Sequence, residues 1–78
     1  MIITPAQVRE ARKLLGWTVT ALATPSGVDP KHLESFEREK RRLSVLDLSV
    51  IQTTLAGAGV EFIAENGGGA GVRLRKPS

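Results

Sequence analysis

Apolar residues recur at helical spacing through position 59 and switch to alternation beyond it. Thr4-Pro5-Ala6-Gln7 reads as a helix start: a Thr cap, Pro at the first helical position, and Gln at the capping-box position. The helix is expected to reach about Leu15, with Val8, Ala11 and Leu15 facing inward, and to stop at Gly16. Arg12 lies beside that inward stripe and is drawn partly inside with it.

Two shorter helical patterns follow and meet at Ser26-Gly27-Val28. Thr18 is placed to cap the first, which turns Val19, Leu22 and Ala23 inward. Asp29 is placed to cap the second, with Pro30 at its first position, where the missing N–H loses no bond. Leu33 and Phe36 then share one face. Gly27 supplies a sharp turn with a conformation that a Cβ would penalise. Two short helices around such a turn form a helix-turn-helix, whose second helix can enter a DNA major groove.

Arg38-Glu39-Lys40-Arg41-Arg42 makes a polar loop, after which Ser44 caps a fourth helix carrying Leu48, Ile51 and Leu55, with Ala58 as a later contact. Asp47 in its first turn suits the positive end of the helix dipole. Gly57 and Gly59 end that run. In the tail, Val60 and Phe62 alternate with Glu61 and Ile63, and Val72 and Leu74 alternate with Arg73 and Arg75. Two such runs around Glu65-Asn66-Gly67-Gly68-Gly69-Ala70 predict a β-hairpin, with Glu61 or Glu65 facing Arg73 or Arg75. A lone hairpin is marginal in water, so it must lean on the helices or on another chain. The pattern therefore predicts a mainly α chain. Residues 1–59 would form a small four-helix helix-turn-helix domain, and residues 60–78 a C-terminal β-hairpin extension and tail. Trp17, Leu22, Val28, Leu33, Phe36, Leu48, Ile51 and Leu55 are the expected core.

Composition narrows the chemistry more than the fold. The 78 residues contain no cysteine and one histidine, so thiolate sites, disulfides and histidine-rich metal clusters are excluded. No apolar run approaches the roughly 20 residues of a membrane span, and Met1-Ile2-Ile3-Thr4-Pro5 lacks the features of a signal peptide. A cytoplasmic protein is expected. Eleven Lys and Arg against eight Asp and Glu give a net charge of +3, which permits a polyanionic partner. The cations are clustered: Arg38, Lys40, Arg41 and Arg42 follow the third helix, and Arg73, Arg75 and Lys76 lie near the end.

Catalysis finds little support. Glu34 and Glu37 are one helical turn apart without an implied cleft, and His32 has no evident triad partner. The Asn66-Gly67-Gly68-Gly69 loop lacks the Gly-Lys-Ser/Thr ending of a phosphate-binding P-loop. No enzymatic activity, metal or cofactor is expected. Helix N-termini do attract phosphate, which makes the backbone and hydroxyl of Thr18 candidate DNA contacts.

Leu22-Ala23, Ser26-Gly27-Val28, Leu33, Phe36 and Glu37, flanked by Gly16-Trp17-Thr18 and by Ile51, Leu55 and Gly59-Val60, resemble the XRE or Cro-type helix-turn-helix family, which includes phage repressors. The resemblance spans about residues 4–60, and the Gly59–Gly69 tail is similar to that of small bacterial members. It implies a structural ion pair between Arg12 and Glu37. It also implies base-facing positions at Pro30, Lys31 and Ser35, with His32 and Glu34 nearby. Lys31 can donate to guanine or phosphate, Ser35 can donate or accept, and Pro30 offers only apolar contact. Thr18, Arg38, Lys40, Arg41 and Arg42 would hold the DNA backbone.

Two positions depart from the family pattern. Val19 stands where a phosphate-binding glutamine is common, and Glu39 stands where a glycine usually follows the recognition helix. The resemblance implies a small transcriptional regulator that binds operator double-stranded DNA as a homodimer, with residues 60–75 as one place for the dimer contact. Val19, Pro30, Glu34 and Glu39 motivate an alternative: a protein-binding module on the same fold, acting as antiactivator, adaptor or antitoxin-like partner of another regulatory protein. Fold alone does not decide between them.

Overall fold

The computed structural model describes residues 2–64 and 67–75. Four helices are followed by a two-stranded antiparallel sheet: α1 Pro5–Leu15, α2 Val19–Ser26, α3 Pro30–Glu37, α4 Val45–Gly57, β1 Val60–Ile63 and β2 Gly71–Leu74. Each helix begins where a side-chain oxygen can satisfy a free backbone N–H. Thr4 accepts from the Gln7 N–H at 3.1 Å, and the Gln7 side chain accepts from the Thr4 N–H at 2.9 Å. Thr18 accepts from the Ala21 N–H, Asp29 from that of Lys31, and Ser44 from that of Asp47.

The helix ends use left-handed backbone. Gly16 (φ 69°) closes α1 and Gly27 (φ 73°) closes α2. Pro25 falls in the last turn of α2 without ending it, and the helix runs on to Ser26, whose hydroxyl donates to the Leu22 carbonyl at 2.8 Å.

The core gathers Leu22, Leu33, Phe36, Ile51 and Leu55 from the last three helices and Val28 from the turn between α2 and α3, with Val8 and Ala11 from α1. Trp17 and Leu48 pack against this core half-buried rather than inside it, and Leu15 does likewise. Two further members come from outside the helices. Ile3, just before α1, is 2% exposed, and Val60, which opens β1, is equally enclosed.

The hairpin lies on its own chain. Its register pairs Val60 with Leu74, Glu61 with Arg73, Phe62 with Val72 and Ile63 with Gly71. Val60 enters the core, and Phe62 and Val72 pack against it. The Gln7 side-chain amide donates to the carbonyls of Ile63 (3.2 Å) and Gly71 (3.0 Å), one on each strand. Most of the hairpin's apolar face is thus packed on the helices, and Leu74 is its one well-exposed large apolar side chain among the described residues. Across the strands Glu61 meets Arg73 at 3.3 Å. Glu65, Asn66 and Lys76, also named in the sequence reading, lie outside the described residues.

Candidate nucleic-acid interface

The second helix of the helix-turn-helix is set from its two ends. At the start, the Asp29 carboxylate accepts from the Lys31 N–H at 2.8 Å. That bond, with smaller help from the charge of His32, holds the Asp29 pKa below its ordinary value. Pro30 supplies a fixed φ at the first helical position. At the far end, Glu37 is buried and is gripped from α1. Arg12 Nε donates to Glu37 Oε2 at 2.8 Å and Arg12 Nη2 to Oε1 at 2.7 Å, a bidentate pair. The third nitrogen, Nη1, donates to the Trp17 carbonyl at 2.8 Å. The hydrogen bond to Glu37 raises the Arg12 pKa, against the opposing pull of burial.

Arg9 is a further residue of this arrangement. Its Nη1 donates to the Glu37 backbone carbonyl at 2.7 Å, placing a cation at the negative end of the α3 dipole. Arg9 precedes Arg12 by one helical turn, so both reach α3 from the same side of α1. That spacing was the available sequence signal, and it is a weak one among the many charged residues of α1.

With α3 held in this way, its outer surface is free. Pro30, Lys31 and Glu34 are exposed, while His32 and Ser35 are half-buried. Thr18 is exposed at the start of α2. Arg38, Lys40, Arg41 and Arg42 are all exposed at and after the end of α3. Arg38 lies 3.8 Å from Glu34 one turn back, an exposed pair of the kind that contributes little and leaves the guanidinium available. Val19 is half-buried beside Arg9, Arg12, Glu34, Glu37 and Arg38, around a recess of about 330 Å³. Its side chain has no polar atom to present there.

The loop after α3 begins with a turn of unusual composition. The Glu39 N–H donates to the Phe36 carbonyl and the Lys40 N–H to the Ser35 carbonyl, both at 2.9 Å. This is the pattern in which a left-handed residue ends a helix. Glu39 occupies that position at φ 60°, and it is the only non-glycine with positive φ among the described residues. The turn brings Lys40, Arg41 and Arg42 past the end of the helix.

Among the described residues there is no group of His, Asp and Glu able to hold a metal ion, and no helix is long and apolar enough to cross a membrane. No protein-family model matches the chain, and no curated protein matches it either. Among solved structures, it is similar to the restriction-modification controller protein C.AhdI from Aeromonas hydrophila. The two are 29% identical, with a TM-score of 0.64 over 67% of this chain and 79% of that one. The four capped helices, the turn at Gly27, the residues of the motif and this likeness together give the chain a helix-turn-helix fold that resembles the XRE/Cro type.

Proposed function

We propose that the chain is a transcriptional regulator that binds operator DNA as a dimer, with α3 in the major groove. The observation that carries this reading is the pairing of a buried anchor with a free face. Glu37 is fixed by Arg12 and Arg9, while Lys31 and the cations from Arg38 to Arg42 remain exposed around the same helix. The similarity to a restriction-modification controller protein supports a role in gene regulation. Thr18, Arg38, Lys40, Arg41 and Arg42 set position on the phosphates, and Lys31 and Ser35 meet base edges, with Pro30 and His32 beside them.

The test is binding of the full chain to DNA flanking its own gene, followed across salt concentrations. Affinity should fall steeply with salt. Neutralising Arg41 and Arg42 together should flatten the slope of log affinity against log salt by up to about 3.6 in a dimer, at about 0.9 per phosphate contact. Lys31→Ala should lose about 1–3 kcal/mol on the preferred site and far less on random DNA. Two protected half-sites about 34–36 Å apart are expected. If no fragment binds with salt-sensitive affinity, the operator reading fails and a protein partner takes its place.

A further inference from the structure

The loop between α3 and α4 carries a pattern that DNA contact leaves unused. Arg41 and Arg42 stand three and two positions before Ser44, and Val45 follows it. Residues 40–44 belong to no helix or strand, and Ser44 has extended backbone (φ −65°, ψ 159°). Such a segment turns its side chains to both sides and can lie along the groove of another protein. Arg41, Arg42, Ser44 and Val45 are all exposed, Val45 at 78%. The Ser44 hydroxyl accepts from the Asp47 N–H at 3.0 Å and donates to none of the described residues.

We propose that Ser44 is a phosphorylation site for a protein kinase with an acidic substrate groove, and that its phosphate switches off the neighbouring cations. Charge complementarity points to that partner. An acidic groove fits two guanidinium groups ahead of the acceptor, and an apolar recess beyond it fits the exposed Val45. In the transfer, Ser44 Oγ forms a bond to the terminal phosphorus of a nucleoside triphosphate. The bond from that phosphorus to the bridging oxygen breaks, the nucleoside diphosphate leaves with the electron pair, and the hydroxyl proton passes to a base of the kinase. Of the serines and threonines, only Ser44 and Ser78 stand behind two cations in this way, and Ser78 lies outside the described residues.

The product sits where a phosphate is favoured. It carries a charge of about −1.5 to −2 and three strong acceptor oxygens. Ser44 caps α4, a helix of 13 residues, so its phosphate stands at the positive end of the helix dipole. Arg41 and Arg42 are near enough in the chain to turn their forked donors onto it. Two carboxylates close in sequence oppose it, Glu39 and Asp47, against the three cations Lys40, Arg41 and Arg42. A phosphate fixed beside Arg41 and Arg42 competes with DNA for the same N–H groups. That competition rests on the operator reading; the acceptor site does not.

The test treats the folded full chain with Mg-ATP and the catalytic domain of a serine kinase that prefers basic residues before its acceptor. Peptide mass spectrometry then maps the label. Ser44 should be modified, and Ser44→Asn, which keeps a capping oxygen, should take no label there. Arg41→Gln with Arg42→Gln should slow transfer at least about ten-fold. No label at Ser44, label only after denaturation, or label confined to Ser78 would overturn the proposal. The phosphorylated chain should melt higher than the unmodified one at low salt and lose that gain at high salt. A lower melting point at low salt overturns the pairing with Arg41 and Arg42. On operator DNA the phosphorylated chain should bind at least about ten-fold more weakly and with a shallower salt slope; an unchanged slope refutes the switch. The labelling and melting readouts contain no DNA. A chain that is modified at Ser44 and gains stability, but whose unmodified form binds no DNA, refutes the operator function and leaves the modification site standing.

Discussion

The ends of α1 and α3 are the same turn built on different residues. After α1, the Gly16 N–H donates to the Lys13 carbonyl and the Trp17 N–H to the Arg12 carbonyl. After α3, Glu39 and Lys40 make the matching bonds to Phe36 and Ser35. The left-handed residue has φ 69° in the first case and 60° in the second. Glycine adopts that conformation freely, but a residue with a Cβ loses roughly 1–2 kcal/mol there. One helix end is relaxed and the other carries strain. The strained end leads straight into Lys40, Arg41 and Arg42. What lets the chain tolerate it is the grip on the preceding turn: Phe36 is buried, and Glu37 is held by two arginines from α1.

If that grip is what supports the strained end, removing it should have the largest effect. Glu37→Ala leaves the enclosed Arg12 guanidinium without its carboxylate, and breaking a buried pair from one side costs about 3–5 kcal/mol. Denaturant unfolding should show this loss as a lower midpoint, and a change within error would remove the ion pair from the account. Gly16→Ala comes next. It imposes on α1 the strain that α3 already carries, for an expected loss of about 1–2 kcal/mol in the same assay. Glu39→Gly is the converse and should gain about 0.5–1 kcal/mol, the released strain being partly offset by the greater freedom of glycine in the unfolded chain. If both glycine exchanges are silent, the two ends are equivalent after all.

The smallest effect concerns the start of α3. The Asp29 pKa is held below its ordinary 3.8 by the Lys31 N–H. A depressed carboxyl contributes stability above its unfolded pKa and loses it as pH falls through the lower folded value. Wild type should therefore melt slightly above Asp29→Asn at neutral pH, with the gap closing below about pH 4. A gap independent of pH would show that the cap acts through shape rather than charge.

The helix starts were legible in the sequence because each depends on residues within one turn: Thr4 with Gln7, Thr18 before Ala21, Asp29 with Pro30, and Ser44 before Asp47. The alternating tail was legible for the same reason, since period and a glycine-rich loop are local signals. What stayed hidden depends on distant partners. Ile3 reads as part of an unstructured start until the fold covers it. Arg9 reads as a surface charge until the end of α3 arrives beside it. The site was legible as a set of cations and less so as geometry. Sequence supplied Lys31 and the loop arginines as candidates, but neither the positive φ of Glu39 nor the 3.8 Å approach of Arg38 to Glu34.

Gln7 has a consequence for how the chain is made. Its carboxamide oxygen starts the first helix, and its amide nitrogen binds carbonyls 56 and 64 positions later. During synthesis at about 5–20 residues per second, the last of those acceptors follows Gln7 by roughly 3–13 seconds. Until then the four helices can assemble, but an amide destined to be 2% exposed has only water to bond. A chain stopped near Gly59 therefore has its helices but lacks the acceptors of Gln7 and the cover that Val60, Phe62 and Val72 give the core. Quality-control proteases that act on loosely closed chains would find their opening at that seam, which makes translation through Gly71 the step that seals the molecule.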